Sequence, residues 1–450
     1  MKKKYTGIEL MEQAPVGRAI IRMALPMMAA MIAQSVYNMT DMFFIGQTGD
    51  ANMVAAVSLV FPVLMLVQAL GNVFAAGASS YISRMLGAKN TAEARRANAV
   101  SFYAVMAAGF ALTLTLVFLK KPVLRLIGAS AGTLAHADAY FTVVSFFVTF
   151  AAAGTALSAQ IRSEGATDRA MLLQLAGITV NIILDPVFIL VFRWGTAGAA
   201  WATVAGEFVA FLYGVRYFMS GKTALSIRPA ECRPSRKMIT GILSIGIPAG
   251  FTNILMSAAG IVANRLAAGY GDYVVAGSGI QMRITSLCFT LVLALAQGYQ
   301  PFAGYNYGAK QFARLRKGFK LTALYATALC TASSVLFLFS GNALIRLFIN
   351  DTATIEAGSA MLRVFVWGLP FIGLQITVMV TFQALGKPLA ATVIMMGRQL
   401  LFYLPMLFIL NGLFGFSGFI WAMPAADILT TGIALALGRS LAALMRAQTA

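Results

Sequence analysis

Apolar runs of about 20 residues, long enough for a helix to cross a bilayer core, recur along almost the whole chain, each closed by a short polar or glycine-rich stretch. About twelve such runs take up most of the 450 residues, so lipid is the natural solvent and an all-α integral membrane protein is the expected fold. The predicted spans lie near residues 18–44, 54–80, 97–119, 138–161, 170–192, 197–218, 239–268, 274–300, 320–340, 358–384, 389–411 and 417–438. Only 11% of residues are charged and 59% are hydrophobic, with mean hydropathy +0.80, whereas an average soluble domain is about one quarter charged.

The formal charge of +19 does not point to nucleic acid, because it is spread over loops between apolar runs instead of forming a soluble patch or arm. With the N-terminus taken as cytoplasmic, roughly 25 of the Lys and Arg fall in cytoplasmic segments and roughly 7 outside, the bias expected of a multi-pass protein of the cell membrane. An even number of helices then leaves both termini inside. Inside clusters include Lys2, Lys3 and Lys4, then Arg84, Lys89, Arg95 and Arg96, and later Lys310, Arg314, Arg316, Lys317 and Lys320. Lys120, Lys121 and Arg125 deviate, lying in a loop assigned outside. Glu9, Glu12 and Pro15 stand where the apolar core of a cleaved signal would begin, so none is expected. Cys232, Cys288 and Cys330 are odd in number and lack zinc spacing, and they read as structural thiols.

The longest polar interruption, 220–237, divides the chain into an N-terminal lobe, 1–219, and a C-terminal lobe, 238–450. The two lengths resemble each other. Gly195, Gly198 and Trp201 recur as Gly415, Gly418 and Trp421, and Gly87, Ala88 and Lys89 as Gly308, Ala309 and Lys310. Pro26 matches Pro248, Gly165 matches Gly386 and Pro186 matches Pro405, all at an offset of about 220 that marks an internal repeat. Six helices per copy insert both copies the same way, so the expected architecture is twelve transmembrane helices in two six-helix lobes related by a pseudo-twofold axis along the membrane normal, around a central cavity.

Ionisable groups in spanning segments are costly and face a cavity or a partner. The candidates are Asp41, Asp185, Glu207, Arg283, Arg398 and Asp427. Asp41 shares a helical face with Gln34, Tyr37 and Asn38. Asn181 and Asp185 stack four residues apart, and Pro186 crowds the carbonyl of Ile182 and frees it as a further oxygen ligand. Thr203 and Glu207 stack in the same way on the next helix. Together they offer a cage of hard oxygens. Two carboxylates in a low-dielectric pocket cannot both stay ionised unaided, so the site is expected to take up a proton or a cation such as Na+. If an organic cation competes for the same negative field, uptake of the inorganic ion favours its release, which is the energetic basis of antiport. The alternative is that the two acids merely hydrogen-bond across helices.

In the repeat, Asp41 aligns with Ala263, Asp185 with Leu404 and Thr203 with Met423, so the second lobe lacks this cage. Asp427 is the counterpart of Glu207, and Arg283 or Arg398 is available to pair with an acid or to line the cavity. Met27, Met28, Met31, Met39 and Met42 crowd the first helix, and Met256 and Met282 lie in the second lobe, where ordinary packing competes with a role in a promiscuous pocket. Gly71, Gly77 and Gly298 read as sites of close helix approach.

Taken in order, Pro26, Gln34, Tyr37, Asp41 and Gly46, the two Gly-Ala-Lys turns, Arg162, Glu164 and Gly165, and Asn181, Asp185 and Pro186 resemble the multidrug and toxin extrusion (MATE) family over nearly the whole chain. The resemblance implies a two-lobed exporter working by alternating access, with a proton or Na+ site at Asp41, Asn181, Asp185 and Thr203. Gln34 and Tyr37 would line the adjoining cavity, and Pro26 matches the proline at which the family's first helix is proposed to bend. With Met256 in helix seven and no acid inside helix ten, the chain is similar to the branch of MepA and the DNA-damage-inducible F proteins.

The expected function is secondary active multidrug efflux of cationic or amphipathic small molecules in exchange for H+ or Na+. Gln34, Tyr37, Asn38, Glu207, Met256 and Arg283 are expected to line the substrate cavity, with bends at Pro26 and Pro186. No further cofactor is expected, nor any partner beyond substrates and membrane lipids, and the chain is expected to be monomeric. A lipid-linked saccharide flippase is the alternative, although Arg283 and Arg398 are few for a diphosphate. An enzyme is disfavoured, because the lone His136 has no metal-ligand cluster or Ser-His-Asp set around it.

Overall fold

The computed structural model describes residues 5, 7–128, 130 and 132–447. Lys2, Lys3 and Lys4 lie outside the described residues, as do the side chains of Met42, Ala51 and 441–447. Among the described residues the chain is helical and without strands. The helices are α1 Ile8–Glu12, α2 Val16–Gly46, α3 Ala51–Gly87, α4 Thr91–Phe118, α5 Lys120–Leu126, α6 Leu134–Ser163, α7 Thr167–Pro186 and α8 Gly195–Met219. They continue as α9 Arg236–Ala268, α10 Asp272–Gly308, α11 Phe312–Arg346, α12 Thr352–Phe365, α13 Leu369–Ala384, α14 Pro388–Met396 and α15 Leu404–Ala447.

Each of the twelve predicted apolar runs falls on helix. Among the described residues ten helical stretches are long and apolar enough to cross a bilayer, and the pair α12 and α13, bent by 53°, makes an eleventh. The longest stretch, Pro388–Ser440, has 53 residues, more than two crossings of about 20 require. It breaks at Gly415, whose φ of 57° and ψ of −135° leave the helical region.

Local chemistry explains the boundaries. Asp50, Asn90 and Asp351 each accept a hydrogen bond from a first-turn backbone N–H, at 2.8, 3.1 and 2.9 Å. Such caps are worth about 1 kcal/mol each. The repeat is written in the backbone too. Lys89 and Lys310 (φ 59° and 55°), Gly165 and Gly386 (84° and 70°), and Gly195 and Gly415 (58° and 57°) all take the left-handed conformation that ends or breaks a helix. π-helical turns at Val187–Val191 and Gly397–Tyr403 complete the correspondence. The first follows Pro186, whose missing N–H interrupts the regular ladder. α2 runs unbroken through Pro26.

The chain separates into two compact units, one comprising residues up to Gln13 with Ala29–Gly250, the other Ala14–Met28 with Phe251 onward. Within the first unit, a Cβ on Gly206 would sit 2.6 Å from the Gly177 carbonyl oxygen, and one on Gly177 would sit 2.8 Å from that of Gly206. This glycine pair lets α7 and α8 approach backbone to backbone. Gly77 likewise leaves no room for a Cβ beside the Ile242 carbonyl of α9. The polar segment after α8 is strapped down in the same unit. Buried Glu164 accepts hydrogen bonds from Tyr217, the Thr223 hydroxyl and the Ala224 N–H, while Asn98 and Tyr103 of α4 donate to the Ser226 and Ile227 carbonyls at 2.9 and 3.0 Å. Within the second unit, a Cβ on Gly298 would come within 2.7 Å of the Ala24 Cα, so α10 and the first half of α2 are in close contact.

Candidate functional site

Four helices of the first unit carry one polar cluster: Tyr37 and Asp41 from α2, Tyr140 from α6, Asn181 and Asp185 from α7, and Thr203 and Glu207 from α8. The four-residue spacing of three of these pairs stacks each on a single helix face. The Gly177–Gly206 crossing brings the two faces together, with the Asn181 Cβ 3.2 Å from a Cβ built on Gly206. Asn181 Nδ2 donates to Thr203 Oγ1 at 3.4 Å. Tyr37 and Tyr140 lie near Thr203, and Asp41 lies near Asp185. Glu207 bears on Tyr37, with Oε2 3.7 Å from the place a Cβ would take on Gly154 of α6.

Burial makes this cluster expensive as it stands. Asp185 is 0% exposed and Asn181 2% exposed. Both carboxylate oxygens of Asp185, the Asn181 Oδ1 and one oxygen of Asp41 are buried without a hydrogen-bond partner. A buried polar group left unsatisfied costs about 1–3 kcal/mol, and a charge more. Among the described residues, none of the three acids forms an ion pair with Lys or Arg. The set can be completed by a proton on a carboxyl or by a hard cation on carboxylate, amide and hydroxyl oxygens. Among the described residues no three His, Cys, Asp or Glu gather as a tighter metal centre would require.

The second unit treats its acid differently. Asp427, the repeat counterpart of Glu207, is 0% exposed and binds Arg398 Nε through Oδ1 at 2.6 Å. The guanidinium also faces the Phe289 ring at 4.9 Å. Gln375 Nε2 donates to the Asp427 carbonyl and to Thr431 Oγ1, at 2.6 and 2.8 Å. Of the two arginines available for pairing, Arg398 takes the acid.

The remaining predicted positions are more open. Gln34 and Asn38 are exposed on α2 and share a 3.4 Å hydrogen bond. Met256 and Arg283 belong to the second unit and are exposed. Tyr140, 2% exposed, belongs to the cluster although it is uncharged and, unlike Tyr37, Asn181 and Thr203, has no acid four residues away on its own helix. Its signal is a phenol within a span, a group that finds a hydrogen-bond partner when buried.

Known proteins match more than nine-tenths of the chain. The multidrug export protein MepA of Staphylococcus saprophyticus is 30% identical over 416 residues, 92% of each chain. MepA of Staphylococcus aureus strain N315 is 31% identical over 418 residues, 93% of this chain and 92% of that one. The crystal structure of a MATE protein in the straight conformation superposes with a TM-score of 0.93 at 25% identity, covering 99% of this chain and 100% of the other. The MatE family profile matches twice, at residues 26–187 and 248–409, an offset of 222 that agrees with the repeat read from single residues. The chain therefore belongs to the MatE family.

Proposed function

We propose that this protein is a secondary active exporter that releases cationic or amphipathic small molecules in exchange for H+ or Na+ by alternating access. The observation that carries the reading is Asp185, fully buried with both oxygens unpartnered beside Asp41 and Asn181. Such a group persists where function requires it, because packing alone would favour a neutral residue. Asp41, Asn181, Asp185 and Thr203 form the coupling site, where the inorganic ion supplies the charge or proton that the cluster lacks. Tyr37, Gln34, Asn38 and Glu207 extend it toward cargo. An organic cation drawn to the same field is disfavoured once the ion is bound, and the coupling acts equally in both directions. The MepA relatives, named as multidrug export proteins, support export as the direction and drugs as the cargo.

The protein works in the cell membrane with both termini cytoplasmic, as a monomer, and it transports without covalent chemistry. Arg398 is committed to Asp427, which leaves Arg283 as the one arginine expected in the cavity that has no acid partner among the described residues and weakens the flippase alternative. The test is dye efflux from vesicles with Na+ and proton gradients imposed separately. One gradient is expected to drive efflux, and Asp41→Asn and Asp185→Asn are each expected to abolish it while the protein stays folded. Unchanged efflux in both variants would overturn the reading.

A further inference from the structure

A recess of about 400 Å3 opens where the end of α4, the short helix α5 and the first turns of α6 meet. None of the polar cluster lines it. Its walls are apolar, formed by Val117, Phe118, Phe141 and Phe146. Two of these rings are well exposed, Phe118 at 79% and Phe146 at 55%. Ser145 also lines the recess, is 1% exposed, and has a hydroxyl without a hydrogen-bond partner. Lys121 stands exposed at the rim.

The cations here are the ones that break the charge bias of the chain. Lys120 is neutralised, since its Nζ binds Asp138 at 2.7 Å and Thr142 at 2.9 Å. Lys121 and Arg125, four residues apart on one face of α5, form no ion pair among the described residues. α5 has seven residues, too few to cross a bilayer, so it follows the end of the spanning helix α4 with Lys121 lining the recess and Arg125 one turn further along the same face. The occupant must therefore be anionic at one end, apolar along its length, and able to accept a hydrogen bond between the two.

We propose that this recess is a binding site for an anionic phospholipid, with its phosphate on Lys121 and Arg125, an ester carbonyl accepting from the Ser145 hydroxyl, and an acyl chain along the phenylalanines. Organic cations are repelled by the same two side chains, so the recess is separate from the export path.

The test uses the full-length protein with Phe118→Trp as a fluorescent reporter, reconstituted with lipids brominated on the acyl chain. Quenching above the background of the native tryptophans is expected at about tenfold lower mole fraction of phosphatidylglycerol than of phosphatidylcholine, since each basic residue near a lipid surface contributes severalfold. Adding Lys121→Gln with Arg125→Gln should bring phosphatidylglycerol to the phosphatidylcholine value, while Lys121→Arg with Arg125→Lys should keep the preference. Ser145→Ala should weaken both lipids by severalfold without changing their ratio. Equal quenching by the two lipids, or a preference that survives loss of both cations, would overturn the proposal. Relief of quenching by inorganic phosphate alone, or by ethidium, would equally overturn it by making the recess a simple anion site or a cargo site.

Discussion

Glu207 and Asp427 are repeat-related carboxyls, but among the described residues Asp427 alone of the two forms an ion pair, and stability measurements can separate the two roles. Removing one member of a buried pair strands the other charge, which costs about 3–5 kcal/mol. Arg398→Gln and Asp427→Asn should therefore each lower the melting temperature of the purified protein sharply. Replacing both at once, by Arg398→Met with Asp427→Leu, should recover most of the loss. Asp185 sits on the opposite side of this balance, because its unpartnered oxygens already destabilise the ion-free protein. Asp185→Asn should raise stability by about 1–3 kcal/mol in ion-free buffer while ending coupled transport. Melting curves of the four variants in one detergent decide the matter. A fall in stability for Asp185→Asn would mean that its carboxylate has a structural partner after all.

Helix contacts determine whether those residues meet, and glycine shows this most cleanly because one added methyl has opposite consequences at different places. Gly206→Ala forces a Cβ against the Gly177 carbonyl, so it should cost about 1–3 kcal/mol and draw Thr203 away from Asn181, with a matching loss of ion affinity. Gly260, inside α9, has nothing within 4 Å of the same position, and Gly260→Ala should instead stabilise by up to about 1 kcal/mol. Equal effects of the two substitutions on melting and on ion binding would show that the crossing does not set the site. Helix ends answer to pH in a similarly local way. Asp351 caps α12, and its hydrogen bonds from the Thr354 hydroxyl and N–H hold its carboxyl below the ordinary carboxylate value. A depressed value means the cap is fully effective above the unfolded-state pKa and is lost as pH falls through the lower folded value, in the range below about 4. The protection factors of the Thr354 and Ile355 amides should therefore fall in that range in the native chain and stay level in Asp351→Asn. The elements themselves were legible because apolar runs and caps are local signals. The crossing partners of Gly177 and Gly206 were not, since nothing in either run names the other.

At the scale of the molecule, charge in an apolar chain is what made the site readable: the cost of Asp41 and Asp185 in lipid singled them out before any contact was visible. Tyr140 escaped because a buried phenol carries no such cost, and the choice of Arg398 over Arg283 as the partner of Asp427 depended on packing alone. The repeat was legible because left-handed turns demand particular residues at Gly165, Gly195, Gly386 and Gly415. The grouping of Ala14–Met28 with the second unit was not, since α2 is one continuous apolar run. What these parts do together is tested most directly by competition. If a single ion and an organic cation exclude each other from the Asp41–Asp185 field, the apparent Kd for ethidium should rise about tenfold per decade of coupling ion once that ion is above its own Kd, equivalent to about 1.4 kcal/mol per decade. For protons the rise is one decade per unit as pH falls, and for Na+ it appears at fixed pH. Fluorescence anisotropy of ethidium on the purified protein reads both, and Asp185→Asn should flatten whichever dependence the native chain shows. An ethidium affinity indifferent to both ions would mean that cargo and ion do not share the cluster, leaving exchange without a physical basis in these residues.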